Sequence, residues 1–95
     1  MQEGPTPVWE RMAAEPGIWY ARFEIYRLLG PTRTLARAHR TAARLEGLHG
    51  KRPSRGWTAA ARNWNWAERA EAWDQAQREW LRAIEEDRRF DAREQ

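Results

Sequence analysis

Tryptophan recurs at heptad spacing in the last third of the chain. Trp66, Trp73 and Trp80 stand seven residues apart, and Trp64 comes just before them. Together with the residues between them they form a tryptophan ladder with alternating steps of four and three: Trp66, Ala70, Trp73, Gln77, Trp80 and Ile84. Seven residues of an α-helix turn through about 700°, almost two full turns, so the ladder lies along one side of a helix. The spacing predicts a long helix from about residue 66 to about residue 89.

The apolar content of the chain leaves little material for a core. Of 95 residues, 41% are hydrophobic, and the mean hydropathy is −1.02. The seven tryptophans concentrate the apolar surface, because each large aromatic side chain buries roughly 150–250 Å². A single small domain is expected, and a second subunit is expected to cover part of the aromatic surface.

Three shorter helices are predicted ahead of the ladder. The first covers about 16–29 and ends at Gly30-Pro31, and the second begins after Thr32 or Thr34. Its inward face is predicted to carry Leu35, Ala38, Ala42 and Leu45. A Gly-rich basic loop follows, and the third helix begins near Ser54.

The resulting prediction is an all-α fold, a small helix-turn-helix-like bundle of about four helices with a longer C-terminal helix. Residues 1–15 are expected to be a flexible arm, 16–65 the bundle, and 66–95 the long helix used for packing and self-association. The far part of this helix is predicted to contact a second copy through Trp80, Leu81 and Ile84.

Basic charge is concentrated in the middle of the chain. From Arg27 to Arg62 there are nine basic residues and one acid, Glu46, a charge of +8. From Trp66 to the end, six bases stand against nine acids, a charge of −3. This asymmetry indicates a polyanion partner for the middle of the chain and a protein partner for the C-terminal helix.

A basic helix, a turn and a second basic helix occur in the order of a DNA-binding helix-turn-helix. In that motif the second helix enters the major groove, while the first crosses the phosphate backbone. Arginines that only keep the domain soluble are one alternative, and stacking of single strands on aromatic rings is another. The residues predicted to contact double-stranded DNA are Arg33, Arg37, Arg40, Arg44, Lys51, Arg52, Arg55, Thr58 and Arg62.

The polar residues favour binding over catalysis. His39 and His49 stand ten residues apart with no cysteine anywhere in the chain, so no zinc site, other metal site or cofactor is expected. Glu68, Glu71 and Asp74 are expected on a solvated helix face rather than in an acid–base pocket. The chain is therefore predicted not to be an enzyme.

The sequence also bears on location. No apolar run approaches the roughly 20 residues that a membrane span requires, and the N-terminus does not have the pattern of a secretory signal. No membrane partner and a cytoplasmic location are expected, in the host cell if a phage encodes the chain.

Two motifs, "FEIYRLLGPTRTLARAH" and "RNWNWAERAEAWD", carry a family resemblance over residues 19–74. The chain resembles a phage and prophage helix-turn-helix type that looks like small terminase subunits. The positions that match its pattern are Tyr26, Arg27, Gly30, Pro31, Leu35, Ala36, Trp64, Asn65, Trp66, Glu68, Arg69, Ala70, Trp73 and Asp74.

The resemblance implies a function in genome packaging. Small terminase subunits bind viral DNA through an N-terminal helix-turn-helix, assemble into rings through further helices, and recruit the large terminase subunit, which carries the ATPase and nuclease. An alternative within DNA binding is a regulator, or a recombination or replication accessory protein. An alternative of another class is a small phage protein that binds a host or viral protein through its tryptophan-rich surface.

Overall fold

The computed structural model describes residues 6–47 and 53–94. Four helices follow one another, α1 (Gly17–Leu28), α2 (Leu35–Glu46), α3 (Arg55–Asn63) and α4 (Trp66–Glu94), and the described part of the chain contains no strand. The predicted all-α fold with a long last helix is confirmed. The predicted starts of α1, α3 and α4 are correct to within one residue, and α2 begins after Thr34, one of its two predicted caps. α4 extends five residues further than expected.

Local signals account for the ends of the short helices. The Thr34 side chain caps α2 by accepting a hydrogen bond from the backbone N–H of Arg37 at 3.1 Å. At the other end of α2, Gly47 adopts φ +70°, the left-handed conformation that favours glycine. Between α3 and α4, Asn65 takes φ +51°, which asparagine tolerates better than most residues.

Trp66, the first residue of α4, is the centre of the core. It is completely buried, and its ring lies 5.7 Å from Tyr26, 5.9 Å from Phe23, 6.0 Å from Trp57 and 6.4 Å, centre to centre, from Trp19. Offset and edge-on ring pairs at these distances are favourable beyond the area that they bury. The first position of the tryptophan ladder therefore joins α1 and α3 to α4.

Small residues let α2 lie close to its neighbours. Ala38 and Ala42 are completely buried, and His39 beside them is 5% exposed. The prediction that Leu45 faces inward is wrong, because this side chain is 73% exposed. At about 100° per residue, Leu45 lies roughly 70° from the centre of the stripe that Ala38, His39 and Ala42 define.

The two halves of α4 differ in burial. Ala70 is buried and Trp73 is half-buried, whereas nearly all side chains from Arg78 to Asp91 are exposed. A 29-residue helix is about 43 Å long, and the longest dimension of the molecule is 57 Å. The distal half of α4 thus extends away from the bundle.

Residues 6–15, predicted as part of a flexible arm, pack against α4 at one buried ion pair. Arg69 on α4 bonds both carboxylate oxygens of Glu15, at 3.0 and 3.1 Å, and its guanidinium also donates to the carbonyls of Val8, Glu10 and Trp64. Both charged side chains are almost completely buried, so all five guanidinium donors are satisfied without water. Sequence reasoning missed this contact.

Candidate nucleic-acid interface

The outer face of α3 is polar and basic, and its inner face is apolar. Trp57 and Ala60 are buried, whereas Arg55, Thr58 and Arg62 are exposed. The exposed residues follow at steps of three and four, which places them on one side of the helix. Burial of Trp57 therefore determines which side of α3 faces solvent.

α2 presents further arginines. Arg40 and Arg44 are exposed, and Arg37 is half-buried. The guanidinium of Arg37 donates to the backbone carbonyl of Thr32 at 2.9 Å and to its hydroxyl at 3.1 Å. Arg37 is thus held against the start of its own helix, while Arg40 and Arg44 extend into solvent.

An aromatic contact brings α2 and α3 together. The His39 ring meets the Trp57 ring edge-on, with 5.3 Å between centroids. Trp57 also meets Trp19 of α1 edge-on at 5.8 Å. Because His39 and Trp57 are both inward-facing, the exposed arginines of α2 and α3 lie on neighbouring helices whose packing is fixed by the core.

The one acidic residue in the basic segment is already paired. Glu46 accepts hydrogen bonds from Arg22 of α1 at 2.6 and 3.1 Å. The hydrogen bond from Arg22 lowers the pKa of Glu46, helped by the charges of Arg22 and His39, and partial burial opposes the shift. Glu46 is therefore negative at neutral pH but does not neutralise an arginine of α2 or α3.

We give the name arginine surface to five arginines that lie opposite the buried sides of their own helices, α2 and α3. In the described part of the chain, none of them has a carboxylate within 4.0 Å. Guanidinium groups without a protein carboxylate are available for bidentate phosphate contacts. The arginine surface consists of Arg37, Arg40, Arg44, Arg55 and Arg62.

Arg33, also predicted to contact DNA, has a different environment. Its guanidinium bonds both carboxylate oxygens of Asp74 on α4, at 2.5 and 2.8 Å, and donates to the carbonyls of Tyr26 and Arg27. Both charged side chains are at least 90% buried. We therefore leave Arg33 out of the arginine surface, because its donors connect the turn before α2 to α1 and α4.

The remaining predicted residues are placed as follows. Lys51 and Arg52 lie outside the described residues. Trp80 and Leu81 are 61% and 54% exposed, and Ile84 is half-buried. These three side chains are far along α4, away from the arginine surface in sequence and on a separate helix.

Burial also affects a tyrosine in the core. Burial raises the pKa of Tyr26, and the nearby Arg33 guanidinium opposes this shift while Asp74 adds to it. The hydroxyl is therefore neutral across the physiological range. Tyr26 packs against Trp66 in the core. The guanidinium carbon of Arg33 lies 5.5 Å from the centre of the Tyr26 ring.

Within residues 6–47 and 53–94, no three His, Cys, Asp or Glu side chains are grouped so that they could hold a metal ion. None of the described helices has a stretch long and apolar enough to cross a lipid bilayer. Comparisons of the chain with protein-family models, curated proteins and solved structures return no match.

Proposed function

We propose that the chain binds double-stranded DNA through α2 and α3. The observation that carries this proposal is the outer face of α3. There, Arg55, Thr58 and Arg62 are exposed on one side of a helix whose opposite side is held in the core by Trp57. The backbone N–H groups at the start of α3 add positive potential beside Arg55.

The two helices have separate tasks in this proposal. α3 enters the major groove, where Arg55 and Arg62 are suited to guanine edges and Thr58 to a polar edge or a thymine methyl group. α2 crosses the backbone, where Arg40 and Arg44 pair with phosphates and determine the dependence of affinity on salt. The arginine surface, with Lys51 and Arg52 between its two helices in the chain, favours DNA over an acidic protein patch.

At a finer level, we propose that this DNA binding serves recognition of a viral genome by a small-terminase-like subunit, with the large terminase subunit as a further partner. The two motifs in residues 19–74 support this role. A regulator or a recombination or replication accessory would use the same DNA-binding surface. These roles differ in the DNA site and in the partner protein rather than in the chemistry of α3.

The exposed apolar residues of α4 support a second interaction. Trp80 and Leu81 expose more than half of their surface on a helix that is otherwise strongly charged. We include self-association through Trp80, Leu81 and Ile84 in the proposal. A different protein bound at the same place is the alternative, and the native mass of the purified chain separates the two.

The DNA proposal is tested by duplex binding across a salt series. The Arg55→Ala/Arg62→Ala variant is expected to bind labelled duplex at least about tenfold more weakly, because each lost arginine contact to a base or phosphate costs roughly 1–3 kcal/mol. For each phosphate contact removed, the slope of log affinity against log salt is expected to fall by about 0.9. Fluorescence anisotropy measures both quantities.

A matched control is available on α4. Arg82→Ala/Arg89→Ala removes two exposed arginines with the same spacing of seven residues and the same change in net charge. Its affinity is expected to stay within about twofold of the parent, because these residues are outside α2 and α3. If both variants lose the same affinity for duplex DNA, the binding depends only on net charge and α3 is not part of the interface.

A further inference from the structure

One stripe of α4 beyond the bundle is mostly apolar and only partly covered. We call it the distal stripe, and it comprises Gln77, Trp80, Leu81 and Ile84. Trp80 and Leu81 are 61% and 54% exposed, and at about 100° per residue all four positions lie within roughly 100° of one another. The exposed aromatic Phe90 lies off this stripe, roughly 120° from Ile84. The distal stripe is the outward continuation of the tryptophan ladder.

Two opposite charges border the distal stripe on one flank. Arg78 and Glu85 are both exposed and are seven residues apart, so they lie on the same side of α4. Among the described residues, neither has an oppositely charged partner within 4.0 Å. On the opposite flank, next to Trp80, stand the small residues Ala76 and Ala83.

We propose that α4 pairs in antiparallel orientation with α4 of a second copy of this chain, about a two-fold axis that crosses the distal stripe midway between the levels of Arg78 and Glu85. This inference deepens the self-association proposed above and rests on it. In an antiparallel pair with this centre, Arg78 of each copy stands opposite Glu85 of the other. Trp80 of each copy stands opposite Ala83 of the other, where a small side chain leaves space for an indole.

The charge pattern selects this orientation over a parallel one. In a parallel in-register pair, each flank of the stripe meets the opposite flank of the partner, so the flank with Arg78 and Glu85 would face the flank with Ala76 and Ala83 and form neither ion pair. In the antiparallel pair both contacts are attractive. The surface is then self-complementary, and such an interface closes at two copies instead of extending into a ring.

A neighbouring cleft can receive a side chain of the second helix. A space of about 240 Å³ lies between the C-terminal end of α1 and α4, and Leu28, Gln77 and Leu81 are among the residues that line it. Leu28 is 64% exposed. Because this cleft adjoins the distal stripe, a side chain of the second α4 can enter it and cover part of Leu28.

The first experiment measures native mass by light scattering at tens of micromolar protein. The parent is expected at twice the 11.3 kDa of one chain. Trp80→Ala is expected to raise the dissociation constant of the pair by about tenfold or more, since central aromatic residues dominate interface energies. Phe90→Ala is the matched control, because Phe90 is equally exposed at 60% but lies off the stripe. A monomeric parent, a larger ring, or an equal effect of both variants would overturn the proposal.

The second experiment exchanges the flanking charges. Arg78→Glu places the new carboxylate opposite Glu85 of the other copy at both ends of the antiparallel contact. We expect the dissociation constant of the pair to increase by about tenfold. The double variant Arg78→Glu/Glu85→Arg restores opposite charges and is expected to regain the parent mass. If the double variant stays as weak as the single one, Arg78 and Glu85 do not face each other.

The third experiment determines orientation directly. The chain contains no cysteine, so single cysteines report unambiguously. Arg78→Cys and Glu85→Cys chains, one of them carrying a mass tag, are mixed and oxidised. The antiparallel pair is expected to yield mainly the disulfide between position 78 and position 85, because disulfides need Cβ atoms within about 4.5 Å. If links between identical positions predominate, positions 78 and 85 do not face each other, and the proposal is overturned.

These measurements are independent of DNA. The Arg55→Ala/Arg62→Ala variant is expected to keep the parent mass, since α3 is not part of the proposed pair. If the parent is monomeric but the Arg55→Ala/Arg62→Ala variant loses duplex binding, only the pairing proposal is contradicted. An intact antiparallel pair that does not bind duplex would count against the DNA proposal alone.

Discussion

Trp66 is completely buried, whereas Trp80, two heptads further along the same side of α4, exposes 61% of its surface. The same residue type at the same helical phase thus occupies two different environments. Trp66 is surrounded by four aromatic rings from α1 and α3, and Trp80 is beyond the reach of both helices. The comparison shows that a helical ladder marks a surface able to be buried, while other elements determine how much of it is buried.

The largest effect should come from shortening the buried end of the ladder. Trp66→Ala is expected to lower the free energy of unfolding by about 3–5 kcal/mol, because it removes an indole from a packed core and leaves a cavity. Trp80→Ala is expected to change it by less than about 0.5 kcal/mol in the monomer. Urea unfolding followed by circular dichroism at low protein concentration measures both, and similar losses would contradict the contrast between the two halves of α4.

Two arginines on α4 provide the same comparison for charged side chains. Arg69 is buried with Glu15, and Arg82 is exposed. Arg69→Leu leaves the Glu15 carboxylate buried without its partner and is expected to cost roughly 3 kcal/mol. Arg82→Leu is expected to lie within about 0.5 kcal/mol of the parent. Limited proteolysis of residues 6–15 should also accelerate in Arg69→Leu only, and unchanged proteolysis would mean that Arg69 does not hold this segment.

The smallest effect concerns the ion pair at the edge of α2. Since the pKa of Glu46 is lowered in the folded protein, its pairing with Arg22 stabilises the fold at neutral pH. That stabilisation declines as the pH falls through and below about 4.5, the ordinary value. Glu46→Gln is expected to cost about 0.2–1 kcal/mol at pH 7, as for other partly exposed pairs, and to reduce this acid sensitivity.

Glu86→Gln on the distal half of α4 is the control for this prediction. Glu86 is exposed, and no described basic side chain lies within 4.0 Å of it. Thermal unfolding at pH 7 and pH 3.5 compares the two variants. If Glu86→Gln alters the pH dependence as much as Glu46→Gln does, the Arg22–Glu46 contact is not its source.

Much of the secondary structure could be predicted from local sequence signals. The tryptophan ladder predicted α4, Gly30-Pro31 predicted the end of α1, and Thr34 was one of two candidate caps for α2. The exposed side of α3 also has a local signal, because the apolar residues Trp57 and Ala61 stand four positions apart and mark the opposite side of the helix. The position of Leu45 was predicted wrongly, since the inward side of α2 is centred on two alanines and a histidine.

The candidate site was less predictable than the helices. Arg33 has the same residue type and nearly the same spacing as the arginines of α2, yet it pairs with Asp74, 41 residues away. The partner of Arg69 is 54 residues away, in a segment predicted as flexible. Neither pairing has a local signal, because opposite charges occur throughout the second half of the chain.

By itself, the sequence determined the helical character of this protein, the positions where its helices begin and the separation of a basic middle from a mixed-charge C-terminal helix. These properties depend on interactions between residues within about four positions of one another and on composition. Only the tertiary structure decided which arginines are buried in ion pairs, which remain exposed on α2 and α3, and where the tryptophan ladder leaves the core. Those outcomes depend on contacts between segments far apart in the sequence, because only such contacts remove a charged or aromatic side chain from solvent.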